Sequence, residues 1–426
     1  MAEFSAEVFQ NEYLAHGADV VDAVITVTAS GGGSTVSPTG EVVEIIVIDT
    51  SGSMSGDRGR KIVAAREATK AAIDTIRDDV LFAVVGGTHR SQLAYPDHVG
   101  LARADARTRA SAKSAVDGLQ AKGGTAIGSW LLAAAHLVDQ APGALAHVTL
   151  LTDGKNESES DAELDEAIAH CMGRFECDAR GLGTDWEVDE LRRVASALLG
   201  TVDIVPDPDE LEAEFMALTR RAMAKQSRVG LRLWTPKGSD LEFVRQVSPS
   251  LEDLTTKGVA VNDLTRDLPL GAWSGDESRD YHVRVRIPVG RTGDERLAAR
   301  VMLVIDGDER PAALVRAVWT DDENLSTRIN AEVAHYTGQA ELAAAIHDGL
   351  AARESGDDKT ATVRLGRAVQ LAHDAGNDDT VKLLQAVVDV DDPQTGTVRL
   401  KRDVEEVDTM ALDVRSTRTV RVRKES

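Results

Sequence analysis

The sequence of 426 residues is poor in features that define particular classes of protein. Its two cysteines, Cys171 and Cys177, are too few for a disulfide framework, and two buried thiols are favoured over a bridge or a metal clip. No apolar run approaches the ~20 residues that a membrane-spanning helix needs. The first residues show no basic region followed by an apolar stretch, so we expect no secretory signal. Together these absences predict a cytoplasmic protein.

Positive charge is also scarce. The chain has 48 Lys and Arg against 71 Asp and Glu, which gives a formal net charge of -23. Such a molecule repels phosphates, which disfavours nucleic acid and anionic membranes as partners. The exception is the last thirteen residues, VRSTRTVRVRKES, where basic side chains predominate.

Between residues 41 and 225, strand-like and helical segments alternate. The run EVVEIIVID at 41–49 is typical of a strand buried on both faces of a parallel sheet. Further strands are predicted at 80–87, 145–153, 175–183 and 200–205, with helices at 58–77, 104–120, 126–140, 161–172, 187–198 and 208–224. This order predicts a Rossmann-like, doubly wound α/β domain, whose ligands bind at the carboxyl ends of the strands.

The rest of the chain predicts a multidomain protein, as its length does. Residues 226–320 hold alternating strand candidates of an antiparallel β-sandwich. The strand candidate at 20–28, within an N-terminal segment 1–40, is assigned to the same sandwich, so the α/β domain would be an insertion in it. Residues 321–390 predict a helical hairpin followed by a shorter helix, and residues 391–426 a polar, basic tail.

Five oxygen-bearing side chains follow predicted strand ends. Asp49, Ser51 and Ser53 form a D-x-S-x-S motif, Thr125 follows two glycines, and Asp153 ends another apolar strand. Carboxylates and hydroxyls are hard donors that suit Mg²⁺ or Mn²⁺ better than zinc or copper. Two alternatives stay open: these residues are ordinary caps and turns, or they form a site that no longer binds metal.

This set resembles the metal-ion-dependent adhesion site of the von Willebrand factor A family, over about residues 41–224. The resemblance implies that Ser51, Ser53 and Thr125 are hydroxyl ligands, direct or through water, and that Asp49 and Asp153 act largely through bound water. It also implies an open coordination position for an Asp or Glu of a partner protein. The expected cation is Mg²⁺, with Mn²⁺ or Ca²⁺ as alternatives, and the expected role is binding and not catalysis.

By analogy with bacterial relatives of that family, we expect an adaptor in a regulatory assembly. Kinase systems, phosphothreonine-reading domains and AAA-type ATPases are the candidate partners, and the composition resembles that of high-GC actinobacteria. Two other functions remain open. One is a non-catalytic subunit of an ATPase-driven, chelatase-like complex, and the other is a surface adhesin.

Several motifs are set aside. Gly59-Arg60-Lys61-Ile62 lacks the Gly-Lys-Ser/Thr of a phosphate loop, and Met54 replaces the serine of a hydrolase elbow. Four histidines are expected on the surface or in loops: His89, His98, His147 and His170.

The tail contains hydroxyl side chains among basic ones, which suits basophilic kinases. The hydroxyls are Ser416, Thr417 and Thr419, and the basic residues are Arg415, Arg418, Arg421, Arg423 and Lys424. The alternative is that the tail is a solvated strand, or that it lies on the acidic surface of its own molecule.

Overall fold

The structure, a computed structural model, describes residues 2–31 and 40–422. These residues form two compact units. The α/β unit comprises residues 40–227 and 272–274, and the β+α unit comprises residues 2–31, 228–271 and 275–422. Most of the Gly- and Ser-rich segment at 29–40, which the sequence indicates to be a linker, lies outside the described residues. No helix in the described ranges is long and apolar enough to cross a membrane.

The chain enters the β+α unit first. Its opening strands are β1 (Glu3–Gln10), β2 (Tyr13–Leu14) and β3 (Val20–Ser30). In β3, Val21 lies opposite Val285 and Ile25 opposite Tyr281, on an antiparallel partner more than 250 residues further along the chain. The strand predicted at 20–28 therefore belongs with the later β-strands, and the α/β unit is an insertion, as the sequence predicts.

The α/β unit contains seven strands among its described residues. They are β4 (Val42–Asp49), β5 (Leu81–Gly87), β6 (Ser91–Tyr95), β7 (Ala102–Arg103), β8 (Leu145–Thr152), β9 (Glu176–Leu182) and β10 (Val202–Val205). The sheet order is β10-β9-β8-β4-β5-β6, and the first five of these strands run parallel. The short strands β6 and β7 pair antiparallel with β5 and have no counterpart in the prediction, because they lack a long apolar run.

Six helices of this unit agree with the predicted alternation. They are α1 (Arg60–Thr75), α2 (Ala106–Asp117), α3 (Ile127–Val138), α4 (Asp161–Cys171), α5 (Val188–Ala197) and α6 (Leu211–Met223). The apolar faces of α1 and α6 contribute Ala65, Ile73, Leu211 and Phe215 to one core with the sheet. Both cysteines are buried, Cys171 at the end of α4 and Cys177 in β9.

Strand β4 lies at the centre of the sheet, and all eight of its residues are buried. Its register places Ile48 beside Leu151 of β8 and Asp49 beside Gly87 of β5. Because parallel strands end at the same edge of a sheet, Asp49 and the end of β8 come together there.

A largely buried charge cluster joins β4, β8 and β9 near their amino ends. His147 Nδ1 is 2.9 Å from Glu44 Oε2, and His147 Nε2 is 3.0 Å from Asp178 Oδ2. Burial alone would lower the pKa of His147, but the charges and hydrogen bonds of Glu44 and Asp178 raise it to about 10. His147 is therefore not the surface residue expected from the sequence, whereas the other three histidines of that group, His89, His98 and His170, are exposed.

This cluster predicts a pH-dependent contribution to stability. The folded-state pKa of His147 lies above its ordinary value of 6.5, so the contribution is complete below about pH 6.5 and is lost as pH rises towards 10. His147→Gln removes the cation between two carboxylates and is expected to cost about 3–5 kcal/mol at neutral pH. The gap between the urea midpoints of wild type and variant should narrow from pH 6.5 to pH 10. A gap that stays constant across this range would contradict the assignment.

Among its described residues, the β+α unit contains two large sheets and one two-stranded hairpin. Its further strands are β11 (Lys225–Trp234), β12 (Asp240–Ser248), β13 (Glu252–Asp253), β14 (Val259–Asn262), β15 (Thr265–Ser274), β16 (Glu277–Arg286), β17 (Glu295–Ile305) and β18 (Asp308–Trp319). One sheet has the order β1-β3-β16-β12-β13, and the other β14-β15-β11-β17-β18-β2. They contact each other through β1, β3 and β18. The strand candidates of this region in the sequence are 228–235, 241–247, 280–289, 297–306 and 311–320. They do not include β15, whose Pro269 has no N–H and argues against an internal strand.

The helical region is larger than the predicted hairpin. It comprises α7 (Glu323–Ser326), α8 (Ala331–Glu354), α9 (Asp358–Asp374), α10 (Asp378–Val387), the hairpin β19 (Val388–Asp392) and β20 (Thr397–Leu400), and α11 (Glu406–Arg415). The first predicted helix is interrupted because Asn330 caps α8 by accepting from the N–H groups of Glu332 and Val333. Residues 391–415 are not a polar tail, since Val398 and Leu412 join the core of α8, α9 and α10.

Residues beyond α11 lie along the turn between β12 and β13. Thr417 O accepts from Leu251 N at 2.8 Å, and Thr419 N donates to Pro249 O at 3.0 Å. The Arg421 guanidinium is 3.2 Å from Asp280, which is 4% exposed and also accepts from Tyr336. This arrangement agrees with the alternative in which the tail lies on an acidic part of its own molecule. Arg423 and Lys424 are outside the described residues, and phosphorylation of the tail stays a prediction.

We expect Arg421→Met to lower the stability of the β+α unit by about 1 kcal/mol, because it removes a cation from a buried carboxylate while the guanidinium itself is partly exposed. Thermal unfolding measures the effect. Arg364→Met is the matched control, since Arg364 forms a long 3.7 Å pair with Asp348 and both side chains are about half exposed. Equal midpoints for the two variants would show that the contact of Arg421 adds nothing.

Candidate metal centre

The five side chains singled out from the sequence come from three loops at the carboxyl edge of the α/β sheet. Asp49 ends β4, with Ser51 and Ser53 in the loop that leads to α1. Thr125 lies just before α3, and Asp153 directly follows β8. Asp49 and Asp153 have no exposed surface, whereas Ser53 is exposed, so the group runs from the interior to the surface.

Asp49 is held by its own loop and by β8. Its Oδ1 accepts from Ser51 N at 2.7 Å, and its Oδ2 accepts from Thr152 Oγ1 at 2.6 Å. Burial raises the pKa of Asp49 to about 6, and the charge of Asp153 adds to this shift, although the two hydrogen bonds oppose it. Both carboxylate oxygens of Asp49 therefore already accept from protein donors.

The two serine hydroxyls of the centre are hydrogen-bonded to each other and to Asp153. Ser51 Oγ lies 2.8 Å from Ser53 Oγ, and Ser53 Oγ donates to Asp153 Oδ1 at 2.6 Å. A Cβ added to Gly154 would lie 3.2 Å from Ser53 Oγ and 3.6 Å from Thr125 Oγ1. Gly154 therefore leaves room between these two hydroxyls. The structure brings all five predicted side chains into one small region.

Backbone hydrogen bonds fix the three loops to one another. Gly52 N donates to Gly123 O at 2.8 Å, and Lys122 N donates to Thr50 O at 2.7 Å. Ser158 N donates to Thr125 O at 2.9 Å, which joins the second loop to the third. Side chains held in this way keep their positions without a ligand, so little ordering is needed when one binds.

Two further loop residues cap α3. Asn156 Oδ1 accepts from Ile127 N at 2.8 Å, and Glu159 Oε1 accepts from Gly128 N at 2.5 Å. Because both acceptors belong to the loop after β8, the start of α3 and Asp153 are held in one unit. These two hydrogen bonds hold Thr125, two residues before α3, close to Asp153.

Sequence reasoning missed Thr152, Lys61 and Asp185. Lys61 Nζ donates to Asp153 Oδ2 at 2.8 Å and to Asp185 Oδ2 at 3.3 Å. In the sequence, Lys61 was considered only as part of a phosphate-loop motif that is not complete. Its position in the first turn of the helix that follows the D-x-S-x-S motif was the signal that could have identified it. Thr152 was visible in the sequence only as the neighbour of Asp153.

The donor set fits a hard divalent cation. Carboxylate and hydroxyl oxygens converge on one region, Gly154 leaves space there, and the ammonium of Lys61 already places a positive charge against Asp153. Such oxygen ligands are those that Mg²⁺ and Mn²⁺ prefer. Among the residues that the structure describes, no group of three His, Cys, Asp or Glu side chains is arranged to hold a metal, so the centre depends on its hydroxyls.

A solved structure, a von Willebrand factor type A protein from Catenulispora acidiphila, is 50% identical in sequence, with a TM-score of 0.92. The match covers 99% of this chain and 98% of that protein. The chain belongs to the von Willebrand factor type A family. Residues 42–204 match the von Willebrand factor type A domain, and residues 370–416 match the von Willebrand factor type A C-terminal domain. No curated protein matches the sequence.

Two more distant structures share the fold. The ArnB paralog VWA2 from Sulfolobus acidocaldarius is 12% identical with a TM-score of 0.59, over 98% of this chain and all of that one. The human COPII-coat protein Sec24c is 11% identical with a TM-score of 0.54, over 90% of this chain and 58% of that one. At such identities the likeness concerns the fold alone.

We expect Mg²⁺ or Mn²⁺ to bind one site and to raise the thermal midpoint, because a ligand of the folded state alone stabilises that state. Ser51→Ala, which removes a hydroxyl from the centre, should abolish both effects in calorimetry and thermal melts. Ser55→Ala is the matched control, since Ser55 lies in the same loop but donates to Gly52 O. Wild-type protein that binds neither cation at millimolar concentrations would refute the assignment.

Proposed function

We propose that this von Willebrand factor type A protein is a metal-dependent adhesion module that binds a partner protein and does no chemistry itself. Asp49, Ser51, Ser53, Thr125 and Asp153 would hold Mg²⁺, with Mn²⁺ or Ca²⁺ as alternatives. When bound, the cation supplies a Lewis-acidic position for a carboxylate of the partner. The observation that carries the proposal is the convergence of these five oxygen-bearing side chains at the carboxyl edge of one sheet, from the interior out to the exposed Ser53.

The chemistry of the centre favours an external anion. It has two carboxylates among five donors, and both oxygens of Asp49 are already shared with protein hydrogen bonds. A cation held mainly by neutral hydroxyls and water keeps much of its charge, and it gains from an incoming Asp or Glu. Ser53, at the exposed end of the chain of hydroxyls, marks the side from which the partner would approach.

For the cellular role, we infer a cytoplasmic adaptor in a bacterial regulatory assembly. Kinase systems, phosphothreonine-reading domains and AAA-type ATPases are the candidate partners. Family membership supports an interaction role in general, since von Willebrand factor type A domains are known for metal-dependent protein–protein interaction. Stable co-purification with an ATPase would favour the chelatase-like alternative, and recovery from the cell surface would favour the adhesin.

Capture of a partner from lysate of the native host tests the proposal. We expect a protein that is retained with Mg²⁺, released by EDTA, and lost with Thr125→Ala or Asp153→Ala, because each change removes an oxygen donor from the centre. Replacing one Asp or Glu of that partner should then abolish binding.

Thr88→Ala is the matched control for this experiment. Its hydroxyl donates to Arg90 O in a neighbouring exposed loop, so capture should be unchanged. Circular dichroism must show that the variants remain folded. Undiminished capture by folded Thr125→Ala protein, or capture that EDTA does not affect, would contradict a metal-dependent role.

A further inference from the structure

Lys61 is the positive side chain that lies against the proposed centre. Its ammonium is 2.8 Å from Asp153 Oδ2 and 3.3 Å from Asp185 Oδ2. The side chain of Lys61 is 15% exposed and that of Asp153 is fully buried, whereas Asp185 is 74% exposed. Lys61 thus forms one ion pair that is shielded from water, with the proposed metal ligand Asp153, and one that is solvated, with the exposed Asp185.

The backbone before α1 fixes the place of Lys61. Arg58 and Gly59 both have positive φ, 55° and 81°, and α1 begins directly after them at Arg60. A positive φ is unfavourable for arginine, so this turn is maintained by its surroundings. It places Lys61 in the first helical turn, beside the loop that carries Asp153.

The ammonium of Lys61 is charged at neutral pH. It lies within ion-pair distance of two carboxylates, 2.8 Å from Asp153 Oδ2 and 3.3 Å from Asp185 Oδ2. The centre therefore contains a permanent cation before any metal binds.

The positive charge of Lys61 changes the net charge of the centre. Asp49 and Asp153 bring two negative charges and Lys61 brings one positive charge, so the centre carries one net negative charge. Asp185 counts little because its side chain is largely in water. A divalent cation would leave one net positive charge, which one carboxylate of a partner would neutralise. Without Lys61, the metal alone would neutralise the centre, and the partner's carboxylate would add excess negative charge.

We propose that Lys61 is the residue that couples metal binding to the partner's carboxylate: it weakens the hold on the divalent cation and leaves the loaded centre one positive charge that only an incoming anion balances. This inference rests on the proposed function, and it assigns to that site a specificity residue outside the five ligands. Lys61 acts through Asp153 and through charge, and it does not itself ligate the metal.

Mn²⁺ and acetate serve as probes, since no partner is needed. Calorimetry measures Mn²⁺ affinity, and relaxation of water protons on bound Mn²⁺ reports the replacement of coordinated water by acetate at constant ionic strength. We expect Lys61→Met to bind Mn²⁺ about tenfold more tightly and acetate about tenfold more weakly than wild type, since a nearby charge in partly shielded surroundings is worth roughly a factor of ten. Lys61→Arg keeps the charge and should remain close to wild type.

Arg60→Met is the matched control. Arg60 precedes Lys61 in the same turn, but its guanidinium pairs with Asp207 at 2.9 Å and with Asp209 at 2.7 Å. Loss of this positive charge should change neither affinity measurably, because its partners are exposed and the charge is screened.

Asp185→Asn provides a second variant in case Lys61→Met does not fold. It removes the exposed partner of Lys61 and leaves the ammonium to Asp153 alone, so Mn²⁺ should bind roughly threefold more weakly, the opposite direction from Lys61→Met. A purely structural ion pair would lower the thermal midpoint in these variants without moving either affinity.

The outcomes separate this inference from the proposed function. Tighter Mn²⁺ and weaker acetate binding in Lys61→Met, or Mn²⁺ binding that appears only in that variant, supports the role of Lys61. Equal affinities in wild type and Lys61→Met overturn it while the metal centre stands. If neither wild type nor any variant binds Mn²⁺ at millimolar concentrations, both the centre and the role of Lys61 are refuted.

Discussion

Two carboxylates without exposed surface, Asp49 and Asp153, are the constraint on which the carboxyl edge of the α/β sheet depends. A buried charge is costly unless hydrogen bonds or an opposite charge compensate it. Asp49 receives two hydrogen bonds from its own loop and β8, and Asp153 receives a hydroxyl and an ammonium. The loops, the glycine beside Asp153 and the first turn of α1 are all arranged around these contacts. The same carboxylates make the edge a place for a cation.

The carboxyl edge of the sheet belongs to the α/β unit, which is inserted in the sequence of the β+α unit. The α/β unit interrupts a β+α unit whose first strands come before it in the chain, so the segments on both sides of the insertion belong to one β-structure. The segment after α11 is likewise bound to that structure, through Thr417, Thr419 and Arg421.

The proposed ligands could be predicted from sequence because each belongs to a short motif at the end of an apolar run. Strands buried on both faces, such as β4, have a clear pattern, and the order of strands and helices fixes where their ends meet. Contacts that depend on tertiary structure had no such signal. Lys61 and Asp185 are 124 residues apart and meet only because β9 lies two strands from β4. Strand β15, with its internal proline, and the structured residues 391–415 were missed since local composition pointed elsewhere.

The cluster of Glu44, His147 and Asp178 also bears on the opposite edge of the sheet. These residues hold β4, β8 and β9 together near their amino ends, while Asp49 and Asp153 follow from two of the same strands at the other. A shift of β8 by one residue would turn His147 away from both carboxylates, because side chains alternate between faces. The cluster therefore fixes the register of the three strands, and with it the relative positions of their carboxyl ends. Two of the proposed oxygen donors, Asp49 and Asp153, thus depend for their relative position on an ionic cluster near the opposite ends of their strands.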